Sequence, residues 1–183
     1  MIMVYVFLAD GFEEIEALTP VDLLRRAGVE VATVSIYPDR KNVTGARGIE
    51  VIADRVMSGK EGEDADLVIL PGGMPGTVNL AECSPLMKIL DEQNAKGGRI
   101  GAICAAPARI LGARGMLKGK NATCYPGMED MMEGATPVIK TVVTDGNITT
   151  SRGLGTAVDF ACELIGLLCG RETSDKIRSS VVA

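Results

Sequence analysis

Cys104 lies in the stretch GAICAAP (101–107), where the apolar run RIGAIC gives way to small residues. A cysteine between a strand and a helix faces the backbone N–H groups of the first helical turn, which favour thiolate over thiol. The placement is that of a nucleophile elbow, although the stretch lacks the hydrolase pattern G-x-S-x-G. The bland alternative is a buried structural thiol, since free cysteine is among the most buried residue types. The 183 residues include no histidine. Cys–His and Ser–His–Asp catalysis within one chain are therefore excluded, and carboxyls must do the proton work. EEIE supplies Glu13, Glu14 and Glu16. Acidic residues in a first helical turn are ordinarily solvated partners of the helix dipole, and that is the expectation for at least two of these three. A glutamate beside a thiolate would behave differently. Adjacent negative charges repel, so it would keep its proton, donate to sulfur, or move a proton across a substrate.

Two glycine-rich stretches add backbone donors. LPGGMPG (70–76) lacks the Gly-Lys-Ser/Thr ending of a phosphate loop, but its N–H groups suit an oxyanion hole. SRGLGTAV contains G-x-G without the third glycine of a dinucleotide fingerprint. Gly153 and Gly155 are expected to let a helix start close to a sheet.

These residues need a frame, and hydropathy periods supply one. MVYVFLA (3–9), EVATVSIY (30–37), ADLVILPGG (65–73) and RIGAIC (99–104) read as buried strands, the third ending in a glycine turn. Residues 12–28 read as a helix that stops at Gly28, with Ile15, Leu18, Val21, Leu24 and Ala27 on one side. Pro20 predicts either a kink in it or a later start near Thr19. Residues 42–55 read as a hairpin or an excursion around Gly45 and Gly48. Residues 84–98 read as a helix with Ser84 as N-cap and Pro85 first. A short helix follows Cys104, then a strand in NATCYPG, and then a hairpin turning at Asp145-Gly146. Two helices close the chain, with Cys162 and Cys169 in the core. The order predicts a single α/β domain over 1–183, with a mostly parallel sheet and helices on both faces. Ligands bind such sheets beyond the carboxyl ends of the strands. DGFEEIE, LPGGMPG, ICAAP and TSRGLGT all fall there.

A net charge of −5 argues against a nucleic-acid or anionic-membrane surface. The first ten residues lack a basic region and a cleavage site, so no signal peptide is expected. The later apolar stretch TAVDFACELIGLLCG carries two acids and is too short to span a bilayer. Five cysteines at scattered spacings predict neither a disulfide framework nor a zinc site, and fit a reducing cytoplasm. No metal or cofactor is expected.

Together EEIEALTPVDLLRRAG, ADLVILPGG, AKGGRIGAICAAP and TSRGLGTAVDFA, with the spacing between them, resemble the ThiJ/PfpI superfamily over nearly the whole chain. The match is to the branch of the Parkinson-disease-associated protein deglycase. The resemblance implies a flavodoxin-like sandwich of the class I glutamine amidotransferase type, and a homodimer. It matches Cys104 to the family's reactive cysteine and Glu16 to its protonated hydrogen-bond partner. It matches Gly72, Gly73 and Ala105 to the glycine loop and backbone donors around the site, and Arg47 to an arginine that approaches the pocket from the dimer partner. Arg152 falls in the matching TSRG segment. Where several members of the branch place a histidine before proline, this chain has Tyr125 in CYPG, a hydrogen-bond donor or a pocket wall. The roles implied are a glyoxalase or deglycase acting on 2-oxoaldehydes such as methylglyoxal or their thiol and amine adducts, or a non-enzymatic oxidative-stress sensor and redox chaperone working through oxidation of Cys104. A binding module with an inert thiol is the third reading.

Overall fold

Residues 3–8 are apolar almost without a break because both faces of their strand are covered. The computed structural model describes residues 2–183. In it β1 (Met3–Leu8) sends Val4, Val6 and Leu8 to one face of the sheet and Tyr5 and Phe7 to the other, all buried. There follow α1 (Glu14–Arg26), β2 (Glu30–Ser35), the hairpin strands β3 (Asn42–Thr44) and β4 (Glu50–Ile52), β5 (Arg55–Val56) and α2 (Glu61–Asp64). Next come β6 (Leu67–Leu70), α3 (Gly76–Glu82), α4 (Ser84–Ala95), β7 (Arg99–Ile103) and a π-helical turn over Pro107–Gly112. The remainder comprises β8 (Asn121–Ala122), β9 (Thr136–Pro137), β10 (Val142–Asp145), β11 (Ile148–Ser151), α5 (Ala157–Cys169) and α6 (Arg171–Ser180).

Seven strands form the main sheet in the order β10-β11-β7-β6-β1-β2-β5. Every pairing in it is parallel except β10 with β11. Val6 stands beside Ile69, and Leu70 beside Ala102. The carboxyl ends of β1, β6 and β7 thus open onto one edge, where the loops carrying EEIE, LPGG and Cys104 meet. One face packs Leu80, Leu86 and Ile89 over Tyr5, Phe7 and Leu70. The other packs Leu24, Phe160 and Leu164 over Val4, Val6 and Ile69.

Several expectations shift. Helix α1 begins at Glu14 and runs straight through a buried Pro20, which leaves only the Glu16 carbonyl without its helical donor. Ile15, expected in the core, is half exposed (48 %), because burial of Glu14 and Glu16 turns it outward. Cys83, rather than Ser84, occupies the cap position of α4. Cys162 is buried, but Cys169 at the last turn of α5 is only partly so. The segment around Cys124 forms a separate small ladder, β8 with β9, instead of joining the main sheet. Helix α3 and the edge strand β5 had no distinct sequence signal, being too short for a period to show.

Candidate active site

Cys104 follows β7 directly and adopts φ 65°. Left-handed backbone in a residue with a side chain costs about 1–3 kcal/mol and persists only where the surroundings hold it. Here its N–H donates to the Ser151 carbonyl at 3.0 Å, and its carbonyl accepts from Tyr125 N–H at 2.8 Å. The elbow anticipated from the strand-to-helix junction is present, but the helix after it is a six-residue π turn.

Helix α1 brings the carboxyl. Its cap, Glu13, accepts from the Glu16 backbone N–H at 2.8 Å. That bond fixes the first turn and aims the Glu16 side chain inward, where it is 1 % exposed. Glu16 Oε2 accepts from Gly72 N–H at 2.9 Å. Gly72 has no room for a side chain, since a Cβ there would lie 2.6 Å from both Glu16 Oε2 and Cys104 Cβ. The carboxyl and the thiol face each other across the space that Gly72 leaves. The N–H groups of Ala105 and Gly73 point toward the sulfur. Gly72, anticipated as an oxyanion donor, has its N–H engaged by Glu16 instead.

Burial decides the electrostatics. It pushes the Glu16 carboxyl up to about 7, opposed by the thiol and by Gly72 N–H. It also pushes the Cys104 thiol up to about 12, helped by the negative charge of Glu16 and opposed by Ala105 and Gly73 N–H. The expectation that the helix start would favour the thiolate is overturned, because two backbone donors and a short turn do not outweigh desolvation next to a carboxyl. The expectation of solvated glutamates also fails for Glu14, which is buried and accepts from Arg47 N–H at 2.7 Å.

The raised Glu16 carries a stability signature. Its folded pKa of about 7 exceeds the ordinary value of 4.5, so the folded state holds this proton more tightly than the unfolded chain. The associated stability is complete below pH 4.5 and is lost as pH rises through about 7. The expected loss is about 3 kcal/mol, absent in Glu16→Gln. Urea unfolding of both proteins at pH 5 and pH 8 measures it, and equal pH responses would contradict it.

A cleft of about 500 Å³ opens over the sulfur. Its walls include Gly73, Ala105, Tyr125 and Arg47, so these sequence-derived positions converge on Cys104 and Glu16. Arg47, expected from a partner subunit, lines the cleft of its own chain. The tyrosine is half exposed, and its ring edge would be 3.6 Å from a Cβ at Gly153. Arg152 is not in the wall and influences the buried Cys124 thiol instead. Glu13 also lines the cleft, and sequence reasoning missed Ala46, Met74, Arg109, Met128 and Leu154, which complete the wall. Arg109 follows Ala105 by one helical turn, a spacing that could have marked it. Among the described residues, no three or more Cys, Asp or Glu side chains cluster in a way that could hold a metal ion.

A model of the DJ-1/PfpI family matches residues 3–167. The chain belongs to the DJ-1/PfpI family. This DJ-1/PfpI chain is 40 % identical over 176 residues to Protein DJ-1 homolog B of Arabidopsis thaliana, covering 96 % of the chain and 40 % of that relative. It thus spans about two fifths of that plant protein's length. It is 36 % identical to the glutathione-independent glyoxalase DJR-1.2 of Caenorhabditis elegans, covering 90 % of the chain and 87 % of the relative. Among solved structures, oxidized DJ-1 of Toxoplasma gondii superposes with TM-score 0.95 at 37 % identity, covering 100 % and 98 % of the two chains. The family's flavodoxin-like, class I glutamine amidotransferase-like architecture is the one described above.

Proposed function

We propose that this chain is a cofactor-independent glyoxalase, converting 2-oxoaldehydes such as methylglyoxal, free or as thiol and amine adducts, to 2-hydroxy acids. The observation that carries the reading is the Glu16 carboxyl facing the Cys104 thiol beneath two backbone N–H groups. The worm relative named as a glutathione-independent glyoxalase supports it.

The geometry suits the following sequence. Sulfur adds to the aldehyde carbon while the Glu16 carboxylate takes the thiol proton. The carboxyl returns that proton to the new oxyanion, which Gly73 and Ala105 N–H groups stabilise, giving a hemithioacetal. The carboxylate then removes the proton from the former aldehyde carbon, forming an enediolate, and delivers it to the neighbouring carbon, while the hydroxyl proton passes from the first oxygen to the second and leaves the first carbon as a thioester carbonyl. The product is a thioester of the 2-hydroxy acid, which water cleaves to release the acid and restore the thiol. Tyr125 donates a hydrogen bond to a substrate oxygen or walls the cleft.

A carboxyl near pH 7 suits general acid–base work at neutral pH. Since the thiol stays protonated across that range, kcat/KM for lactate formation from methylglyoxal should rise through about pH 7 as Glu16 ionises. Cys104→Ser is the control and should form no lactate. A pH-independent rate, or lactate from the serine variant, would remove the mechanism.

The second reading, a peroxide sensor, is favoured by the oxidized Toxoplasma relative. Sulfinate at Cys104 would accept from protonated Glu16 and the same N–H groups. Absence of lactate together with stoichiometric oxidation of Cys104 by peroxide would select it. A homodimer is also proposed, supported by the exposed Ile15, Ile49 and Ile52 on α1 and the hairpin, and sedimentation at assay concentration tests it. Among the described residues no helix is long and apolar enough to cross a membrane. Five free cysteines support a cytoplasmic location, which fractionation would check.

A further inference from the structure

Two charged wall residues, Arg47 and Arg109, have no task in the chemistry above, and Arg109 is the more buried of the two. It is half-buried on the π turn behind the elbow, and its N–H bonds to the Ala105 carbonyl at 2.9 Å. Arg109 therefore sits one turn beyond the oxyanion donor, on the wall that Ala105 also lines. Among the described residues it takes part in no ion pair or side-chain hydrogen bond. Its donors are therefore free to meet an acceptor that a ligand brings into the cleft.

The charge around the mouth points the same way. Arg47 and Arg109 face it with one carboxylate, Glu13, whose Oε2 already accepts from Glu16 N–H. The outer cleft carries one uncompensated positive charge, which matches a carboxylate better than a doubly charged phosphate. Glu16 lies at the opposite, buried end beside the sulfur. The volume, about 500 Å³, falls in the range that takes drug-sized ligands, well beyond what a three-carbon oxoaldehyde fills.

We propose that Arg109 makes the cleft selective for 2-oxoaldehydes whose far end carries a carboxylate. The proposal rests on the glyoxalase reading of the same site. Arg109 binds the carboxylate through its planar fork while the aldehyde reaches Cys104, so the residue sets specificity and takes no part in proton transfer.

The test compares 4,5-dioxopentanoate, a five-carbon 2-oxoaldehyde ending in a carboxylate, with its neutral methyl ester, in the full chain and in Arg109→Gln and Arg109→Lys. The wild type should favour the acid over the ester by about tenfold in kcat/KM, the effect of one charge-assisted hydrogen bond partly screened by water. Arg109→Gln should erase that preference through KM, and Arg109→Lys should restore part of it. No preference in the wild type, or equal losses for acid and ester in Arg109→Gln, overturns the proposal while leaving the glyoxalase reading standing. A second measurement does not depend on turnover. Cys104 alkylation by anionic iodoacetate relative to neutral iodoacetamide should fall about tenfold in Arg109→Gln. If neither oxoaldehyde is turned over, the glyoxalase reading fails. An unchanged alkylation ratio then overturns the anion site as well, and a fallen ratio upholds it.

Discussion

Replacing Glu16 with glutamine is expected to lower lactate formation by about a hundredfold or more, the ordinary contribution of a positioned acid–base group. The chain has no histidine, and the other carboxyl of the cleft wall, Glu13, is engaged as the cap of α1 by Glu16 N–H, so among the described residues no free second side chain is placed to take over the proton. The amide nearly matches the carboxyl in shape and can still donate toward sulfur, so the fold and the thiol should survive. One property should change in the opposite direction. The negative charge of Glu16 is the second cause, after burial, of the raised Cys104 thiol, and glutamine removes it. Cys104 in Glu16→Gln should therefore react faster with iodoacetamide at neutral pH while turnover collapses. A merely structural Glu16 would not divide the two readouts in this way. Tyr125→Phe should cost less than Glu16→Gln, since the phenol donates a hydrogen bond that positions substrate and takes no part in the carbon-to-carbon proton transfer. If Tyr125→Phe abolished turnover and Glu16→Gln left it intact, the two roles would be reversed.

Gly73→Ala is expected to be the most damaging single methyl addition near the site. Gly73 has φ 93°, and a Cβ there would lie 2.3 Å from Glu13 N and 2.5 Å from Gly11 O. Both neighbours are backbone, so no side chain can swing aside. The loop must shift, which pulls Gly73 N–H from the sulfur and disturbs the cap of α1. A destabilisation above about 3 kcal/mol is expected from combined strain and overlap. Gly97→Ala is the matched control. Its φ is 71°, yet a Cβ there would meet nothing within 4 Å, so only conformational strain of about 1 kcal/mol applies. Urea midpoints of the two variants should separate clearly. Equal midpoints would mean that the glycine loop is not packed against α1 as described.

The sequence by itself determined the order of the main strands and helices and the strand-end junction that holds Cys104. Strand and helix periods are local, so β1, β2, β6 and β7 were legible from single windows, and so was the junction that holds Cys104. The absence of histidine is likewise a property of the chain alone, and it directed the search to carboxyls. Which carboxyl was a different matter. Glu13, Glu14 and Glu16 share one turn, and a helical period does not say which of them meets a loop 56 residues away. The resemblance to the family pointed to Glu16. The contact with Gly72 makes it the partner of Cys104, while Glu14 is buried against the hairpin and Glu13 caps the helix. The sign of the Cys104 shift also belonged to tertiary structure. Helix-end donors are visible in a sequence as a local effect, but desolvation comes from everything packed around the thiol, and here it dominates. Arg47 and Arg109 followed the same rule. Their types and positions were readable, but which cleft each side chain lines depends on how the hairpin and the π turn fold over the sheet edge, a matter of long-range packing that no single window contains.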